Sequence, residues 1–372
     1  MNEILQQYCA TDKEIHDLLI SGKQKITDGV LHELARDRGI FFSSKTPRED
    51  LVVQIALLPH DYHDIVGIID HRDHSKRAEK TTSVELTTTM EVDDIKSIVE
   101  EYRDGTTGTE KVTYFKKGAD GFVMHISYDE YDYSKTTLIQ RQRRDAEIEF
   151  VTKDGVVTIR NPATEKAKTI VEDLRGRIAQ KKLTEIPAQR IELIGLLESE
   201  DRTSFFTSLI SKIPDYVLQT VINLKVASGK SDEESDSTDL DEEEADTAKQ
   251  EMLAVVHSAA LNGTNLVASK QYQELRAGGF YITSITWRSK QKAEPFSLVQ
   301  FDASFENPVD GTGFKYGVRI AARQKNGEYA KNFKPVADEK LRAQLFELIE
   351  NTSRSVLAEL LRKTHGAEGE IE

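Results

Sequence analysis

FKYGVRIAAR, residues 314–323, alternates without a break: Phe314, Tyr316, Val318 and Ile320 fall on one side, Lys315, Arg319 and Arg323 on the other. A period of two sends successive side chains to opposite faces of a strand, so the stretch reads as a half-buried strand with an apolar inner and a basic outer face. FYITSITW (280–287) and SLVQFDASF (297–305) precede it and carry the same strand signature, and EYAKNF (328–333) follows as a weaker one. Short strands that succeed one another so closely pair as antiparallel neighbours.

Working back along the chain, KVTYF (111–115), FVMHISY (122–128), TLIQRQ (137–142) and AEIEFV (146–151) are strand-like, and Lys153-Asp154-Gly155 turns the last of them into VVTIR (156–160). Pro162 then leads a helix with Ala167, Ile170, Val171, Leu174 and Ile178 on its buried side. RIELIGLL (190–197) reads as a strand, DRTSFFTSLISKI (201–213) as a helix and DYVLQTVINLKVA (215–227) as a strand; a long amphipathic helix closes the chain from Ala337 to Lys363. The fold class expected is α+β: a small N-terminal helical module (1–74), then two mixed α/β domains (81–183 and 184–363) with mostly antiparallel sheets.

SDEESDSTDLDEEEAD, residues 231–246, interrupts the second domain with ten carboxylates and no base. Such a segment cannot bury enough apolar surface to offset its ordering entropy, so 229–247 is expected to be a disordered acidic insertion. The run dominates the net charge of −14. By residue tally the remainder divides into about −6 before it and about +2 after it, so a basic surface on a folded domain is compatible with the overall acidity.

The N-terminal 74 residues are helical in pattern. Thr46-Pro47-Arg48-Glu49 suggests a capping box with proline at the first helical position, opening a helix that carries Leu51, Val52 and Ile55. LHELARDRGIFFSSKTPREDLVVQIA (31–56) resembles the helix–extension–helix modules of the SAP and Rho N-terminal types over residues 27–58. The resemblance is carried by Leu31, Leu34, Ala35, Arg38, Gly39, Ile40, Ser43, Lys45, Asp50, Leu51, Val52 and Ile55. The link here is longer than in SAP modules, which favours the Rho-like form. The resemblance implies nucleic-acid contact through the link and the start of the second helix, with Arg38, Lys45 and Arg48 at the phosphates.

HDYHDIVGIIDHRDH (60–74) places His60, His63, His71 and His74 among four aspartates. Imidazole and carboxylate are suitable ligands for a divalent metal, and the alternative to such a site is a solvated linker or helix end with local His–Asp pairs. The chain lacks the phosphate-binding loop, the dinucleotide fingerprint and the nucleophile elbow, and its one cysteine, Cys9, forms neither a disulfide nor a thiolate cluster within the chain. With no apolar leader and no run of membrane-spanning length, a cytoplasmic protein without a membrane partner is expected.

The function expected is therefore non-enzymatic: an intracellular nucleic-acid-binding or accessory protein with a protein partner. Its contacts would come from the N-terminal module and from Lys315, Arg319 and Arg323, which Arg288, Lys290, Lys292, Lys331 and Lys334 join in composition. No cofactor is required. The alternatives are a metal-dependent hydrolase or nuclease built on His60–His74, and a protein-interaction scaffold that binds no nucleic acid.

Overall fold

In the computed structural model, residues 10–73, 79–196 (apart from 107, 109 and 119), 198–228, 250, 274, 277, 279–323 and 327–368 are described. The acidic run and His74 lie outside these residues, as does the side chain of His71. Eight helices and eleven strands are found among the described residues, mostly antiparallel in pairing, which is an α+β fold. None of those helices is long and apolar enough to cross a membrane. The chain divides into two compact units. One comprises Met1–Arg77, Glu100–Tyr114 and Met124–Glu147; the other comprises Ala78–Val99, Phe115–Val123 and Ile148–Glu372.

The first unit contains α1 (Asp12–Ser21), α2 (Asp28–Arg36), α3 (Arg48–Ala56) and α4 (Tyr62–Asp73). Thr11 caps α1 through a reciprocal box with Glu14, which satisfies two otherwise orphaned backbone donors. The helices converge on Ile15, Leu18, Leu19, Leu31, Leu51, Val52 and Ile55, all buried. The helix–extension–helix shape is present as α2, residues 37–47 and α3. Its second helix starts differently from expectation: Pro47 itself occupies the cap position, and no side chain caps the helix. The histidine stretch forms a helix rather than a linker, because Ile65 and Ile68 supply a buried stripe at helical spacing and Asp61 and Asp64 cap its start reciprocally.

The strands are β1 (Thr81–Thr87), β2 (Glu110–Lys117), β3 (Gly121–Tyr131), β4 (Arg141–Lys153), β5 (Val156–Pro162), β6 (Ala188–Gln189), β7 (Tyr216–Ser228), β8 (Phe280–Gln291), β9 (Leu298–Asn307), β10 (Thr312–Ala321) and β11 (Lys334–Pro335). Their order across the sheet is β2-β3-β4-β5-β1-β10-β9-β8-β7, with β6 beside β1 and β11 beside β10. The helices interspersed are α5 (Val92–Gly105), α6 (Glu165–Lys182), α7 (Ser199–Lys212) and α8 (Glu339–Glu368). Asp154 and Gly155 turn β4 into β5, both with positive φ, as a tight two-residue hairpin requires.

In the second unit the inner face of β7–β10 holds the largest core. Phe314 pairs with Phe305, Tyr316 with Ala303 and Val318 with Phe301, and Trp287 stacks on Phe301 with ring centroids 5.3 Å apart. Phe205 and Phe206 of α7 and Leu345, Ile349 and Val356 of α8 close over this face. RIELIGLL, expected as a strand, is irregular from Arg190 onward. Ile191, Leu193 and Leu196 are buried in the same core, but among the described residues no strand pairs with the segment, and the Leu193 N–H donates instead to the Gly311 carbonyl at 2.8 Å. Gly311 has φ +69°, and a Cβ there would stand 2.7 Å from that of Leu193, so this close approach requires glycine.

Candidate nucleic-acid interface

The outer face of β7–β10 follows directly from register. Lys225, Ser284, Ser304 and Lys315 lie opposite one another in one cross-strand row. Two residues along β10 the row is Asn223, Thr286, Asp302 and Gly317, and the next is Thr220, Arg288, Gln300 and Arg319. Small polar residues thus occupy the middle of the face, with cations toward its margins. Strand spacing puts Lys225 and Lys315 about 14 Å apart across the sheet, and strand rise puts Lys315 and Arg319 about 14 Å apart along it.

Asp302 is the one acid within these rows, and its charge is answered by Lys80 at 2.8 Å, which also donates to the Ser304 hydroxyl at 3.0 Å. Gly317 makes room for it, since a Cβ would sit 2.7 Å from the carboxylate. Arg288 lies over the Phe333 ring, 4.3 Å from its centroid, and its Nε donates to Gln300 at 3.4 Å. That stacking holds the guanidinium flat at the surface, a geometry suited to a phosphate or a base plane. Lys225 is exposed and Lys315 and Arg319 are half-buried, with no acidic partner among the described residues. Lys80, Asn223, Lys225, Thr286, Ser304 and Lys315 line a groove of about 590 Å³ together with Glu79 and Glu306, the latter paired with Lys168. Arg323, exposed, pairs through its backbone with Tyr329 just beyond β10.

The basic residues of the N-terminal module are placed differently. The Arg48 guanidinium donates to Asp28 at 2.8 Å and to the Leu19 carbonyl at 3.2 Å, fastening the start of α3 to α2 and to the end of α1. Arg38 donates to the Leu34 carbonyl at 2.8 Å and pairs with Asp64 at 2.9 Å. Lys45 alone of the three is exposed. Arg38 and Arg48 thus serve the fold of this unit. Arg48→Ala is expected to destabilise it by about 1–3 kcal/mol through the lost charged hydrogen bonds, measured by denaturant unfolding, with the polymer affinity of the folded protein nearly unchanged.

His60 sits in the same corner. Arg38 can only donate, so His60 Nδ1 accepts from it at 3.1 Å, and Nε2–H donates to the Ile55 carbonyl at 2.8 Å. Both ring nitrogens are engaged by protein. His63 stands edge-on to the Tyr62 ring, 5.3 Å away. Among the described residues no group of three or more His, Cys, Asp or Glu side chains converges as a metal site would require.

Two clusters were less legible. Arg141, Arg143 and Arg144 are matched across the β3–β4 pair: Arg141 and Arg143 reach Asp129, and Arg144 reaches Glu130. In the second unit, beneath α8, Arg160 forms a two-pronged pair with Glu350 at 2.8 and 2.9 Å and reaches Glu149 at 3.2 Å. Glu149 also takes Lys117 at 3.1 Å, and the buried Tyr316 hydroxyl donates to Glu350. Burial would raise Glu149, but the charges of Arg160 and Lys117 outweigh it and hold the carboxyl below its usual range. A cavity of about 750 Å³ opens beside this network. Its central charges are spent on one another, which suits a fastening of α8 to the sheet. Lys225 and Lys80 had no distinguishing sequence signal: β7 carries three register irregularities that blur its alternation, and Lys80 precedes the first residue of β1. Neither a comparison with known protein families nor one with curated proteins finds a match to this chain.

Proposed function

We propose that this chain binds nucleic acid non-enzymatically through the outer face of β7–β10, with Lys225, Arg288, Lys315 and Arg319 neutralising phosphates. One observation carries the reading. Several arginines elsewhere, Arg38, Arg48, Arg144, Arg160 and Arg190, face acids at ion-pair distance, whereas Lys225, Lys315 and Arg319 lie together on one face without an ion-pair partner among the described residues, its Asp302 being taken by Lys80. A polyanion would complete these cations. The overall charge of −14 does not oppose this, because fields from distant surface charges are screened within about 10 Å at 0.1 M salt.

The middle of the face offers serine, threonine, asparagine and glutamine rather than a row of aromatic rings. That composition supports hydrogen bonding to backbone and sugar more than base stacking, and so a weak sequence preference. The test is a salt titration of the full-length protein against duplex DNA, single-stranded DNA and RNA. With about four phosphates neutralised, the logarithm of affinity against the logarithm of salt falls with a slope of about −3 to −4. Absence of binding to every polymer at about 50 mM salt overturns the reading.

A further inference from the structure

Cations and acceptors are not mixed on the outer face of β7–β10. Lys225 on β7 and Lys315 on β10 stand at the two ends of one cross-strand row, with Ser284 and Ser304 between them. Four residues along β10, Arg288 and Arg319 belong to another row, two strands and so about 10 Å apart, with Gln300 between them. The row enclosed by these two is Asn223, Thr286, Asp302 and Gly317, and it carries no cation. Lys80 meets Asp302 at Oδ1, 2.8 Å away. Oδ2 lies toward Gly317, where a Cβ would stand 2.7 Å from it, so no side chain at that position of β10 covers this oxygen. A carboxylate and a phosphate are both acceptors and form no hydrogen bond with each other, whereas a hydroxyl donates to either. The face thus suits phosphates at its rim and hydroxyl donors at its centre.

We infer that the polymer is double-helical RNA, held with its minor groove against β7–β10 and with Asp302 accepting from a ribose 2′-hydroxyl. The inference rests on the nucleic-acid reading above and names its substrate. The four strands span about 14 Å before their side chains are counted. The major groove of B-form DNA is about 12 Å wide and admits a helix or a two-stranded ribbon, and its minor groove is only about 6 Å wide. A four-stranded face enters neither. The minor groove of A-form RNA is wide and shallow and displays its 2′-hydroxyls, so a sheet can lie against it without entering. Lys225 and Lys315 then reach phosphates on either side, while Ser284, Thr286 and Asn223, which both donate and accept, meet the sugar edges between. A single strand is held by stacking its bases on aromatic rings, and the three rows contain none. Duplex DNA has no hydroxyl at the sugar position concerned, which leaves Asp302 without its donor.

The test measures the full-length protein against one sequence of about 20 base pairs, presented as an RNA duplex, a DNA duplex and single-stranded RNA at the same salt concentration. The RNA duplex is also prepared with 2′-O-methyl groups, which remove the donor and need no change to the protein. Expected is binding of the RNA duplex about tenfold tighter than of the other two, the scale of one hydrogen bond to a charged group. Methylation removes most of that preference. Asp302→Ala, its melting temperature checked against the parent, binds the RNA and DNA duplexes alike and keeps its salt dependence. Equal affinity of the parent for the two duplexes, or tighter binding of single-stranded RNA, overturns the inference and leaves the nucleic-acid reading standing. A preference that survives both methylation and Asp302→Ala overturns it in the same way. No binding to any of these polymers at about 50 mM salt removes the inference and the reading together.

Discussion

Changing Lys315 and Arg319 together to glutamate is expected to weaken the proposed salt-dependent nucleic-acid binding strongly and to leave the fold in place. Both side chains leave β10 on the face opposite Tyr316 and Val318, so neither contributes to the aromatic core. Their cross-strand neighbours, Ser304 and Gln300, are uncharged and keep their backbone pairing in the variant. Removing two phosphate contacts reduces the salt slope by about 2, and placing two carboxylates on the same face adds repulsion to what remains. The combined loss is expected to be at least about 100-fold in affinity near 100 mM salt. Lys340→Glu, on α8 beside the other cavity, serves as the control with the same sign of charge change. Loss of binding in the control as well as in the double variant would assign the effect to net charge and not to this face. An unchanged salt slope in the double variant would remove Lys315 and Arg319 from the interface.

The outer face was legible because a strand writes its two sides into the sequence with a period of two. Residues 314–320 needed only that rule. α6 and α8 were legible for the corresponding helical reason. What stayed hidden is non-local. β1 meets β10 through Thr81 opposite Tyr316, more than two hundred residues apart, and nothing in either strand's pattern names the other. The same holds for the module's arginines. Arg48 and Arg38 look like phosphate ligands in one dimension, and their partners Asp28 and Asp64 lie twenty and twenty-six residues away. Ion pairing depends on a few ångströms of three-dimensional placement, which composition does not encode. RIELIGLL shows the opposite failure: Ile191, Leu193 and Leu196 are buried, but Ile194 is exposed, and among the described residues no strand pairs with the segment.

The largest stability effect is expected at Arg160. Its side chain is 6% exposed and that of Glu350 is 2% exposed, so the pair is removed from water almost entirely. Arg160→Met strands the charges of Glu350 and Glu149 in that environment, and breaking a buried pair from one side costs about 3–5 kcal/mol. Changing Arg160 and Glu350 together to methionine removes the stranded charge on α8, and should recover at least half of that loss. If the double variant is instead as unstable as the sum of the singles, the network acts through packing rather than charge. The pH dependence separates these further. In the parent, Arg160 and Lys117 hold Glu149 below its unfolded value of 4.5 against the opposing effect of burial. Its stabilising contribution is therefore present above about pH 4.5 and is lost as pH falls through the lower, folded value. Arg160→Met withdraws the main depressing charge and leaves burial to raise Glu149, so the variant lacks that acid-side loss. The gap in unfolding free energy between parent and Arg160→Met should accordingly narrow as pH is lowered from 7 toward 3, followed by urea denaturation at each pH. A gap that stays constant over that range would mean that Glu149 does not titrate with the fold, and that the arginine's role is confined to its bond with Glu350.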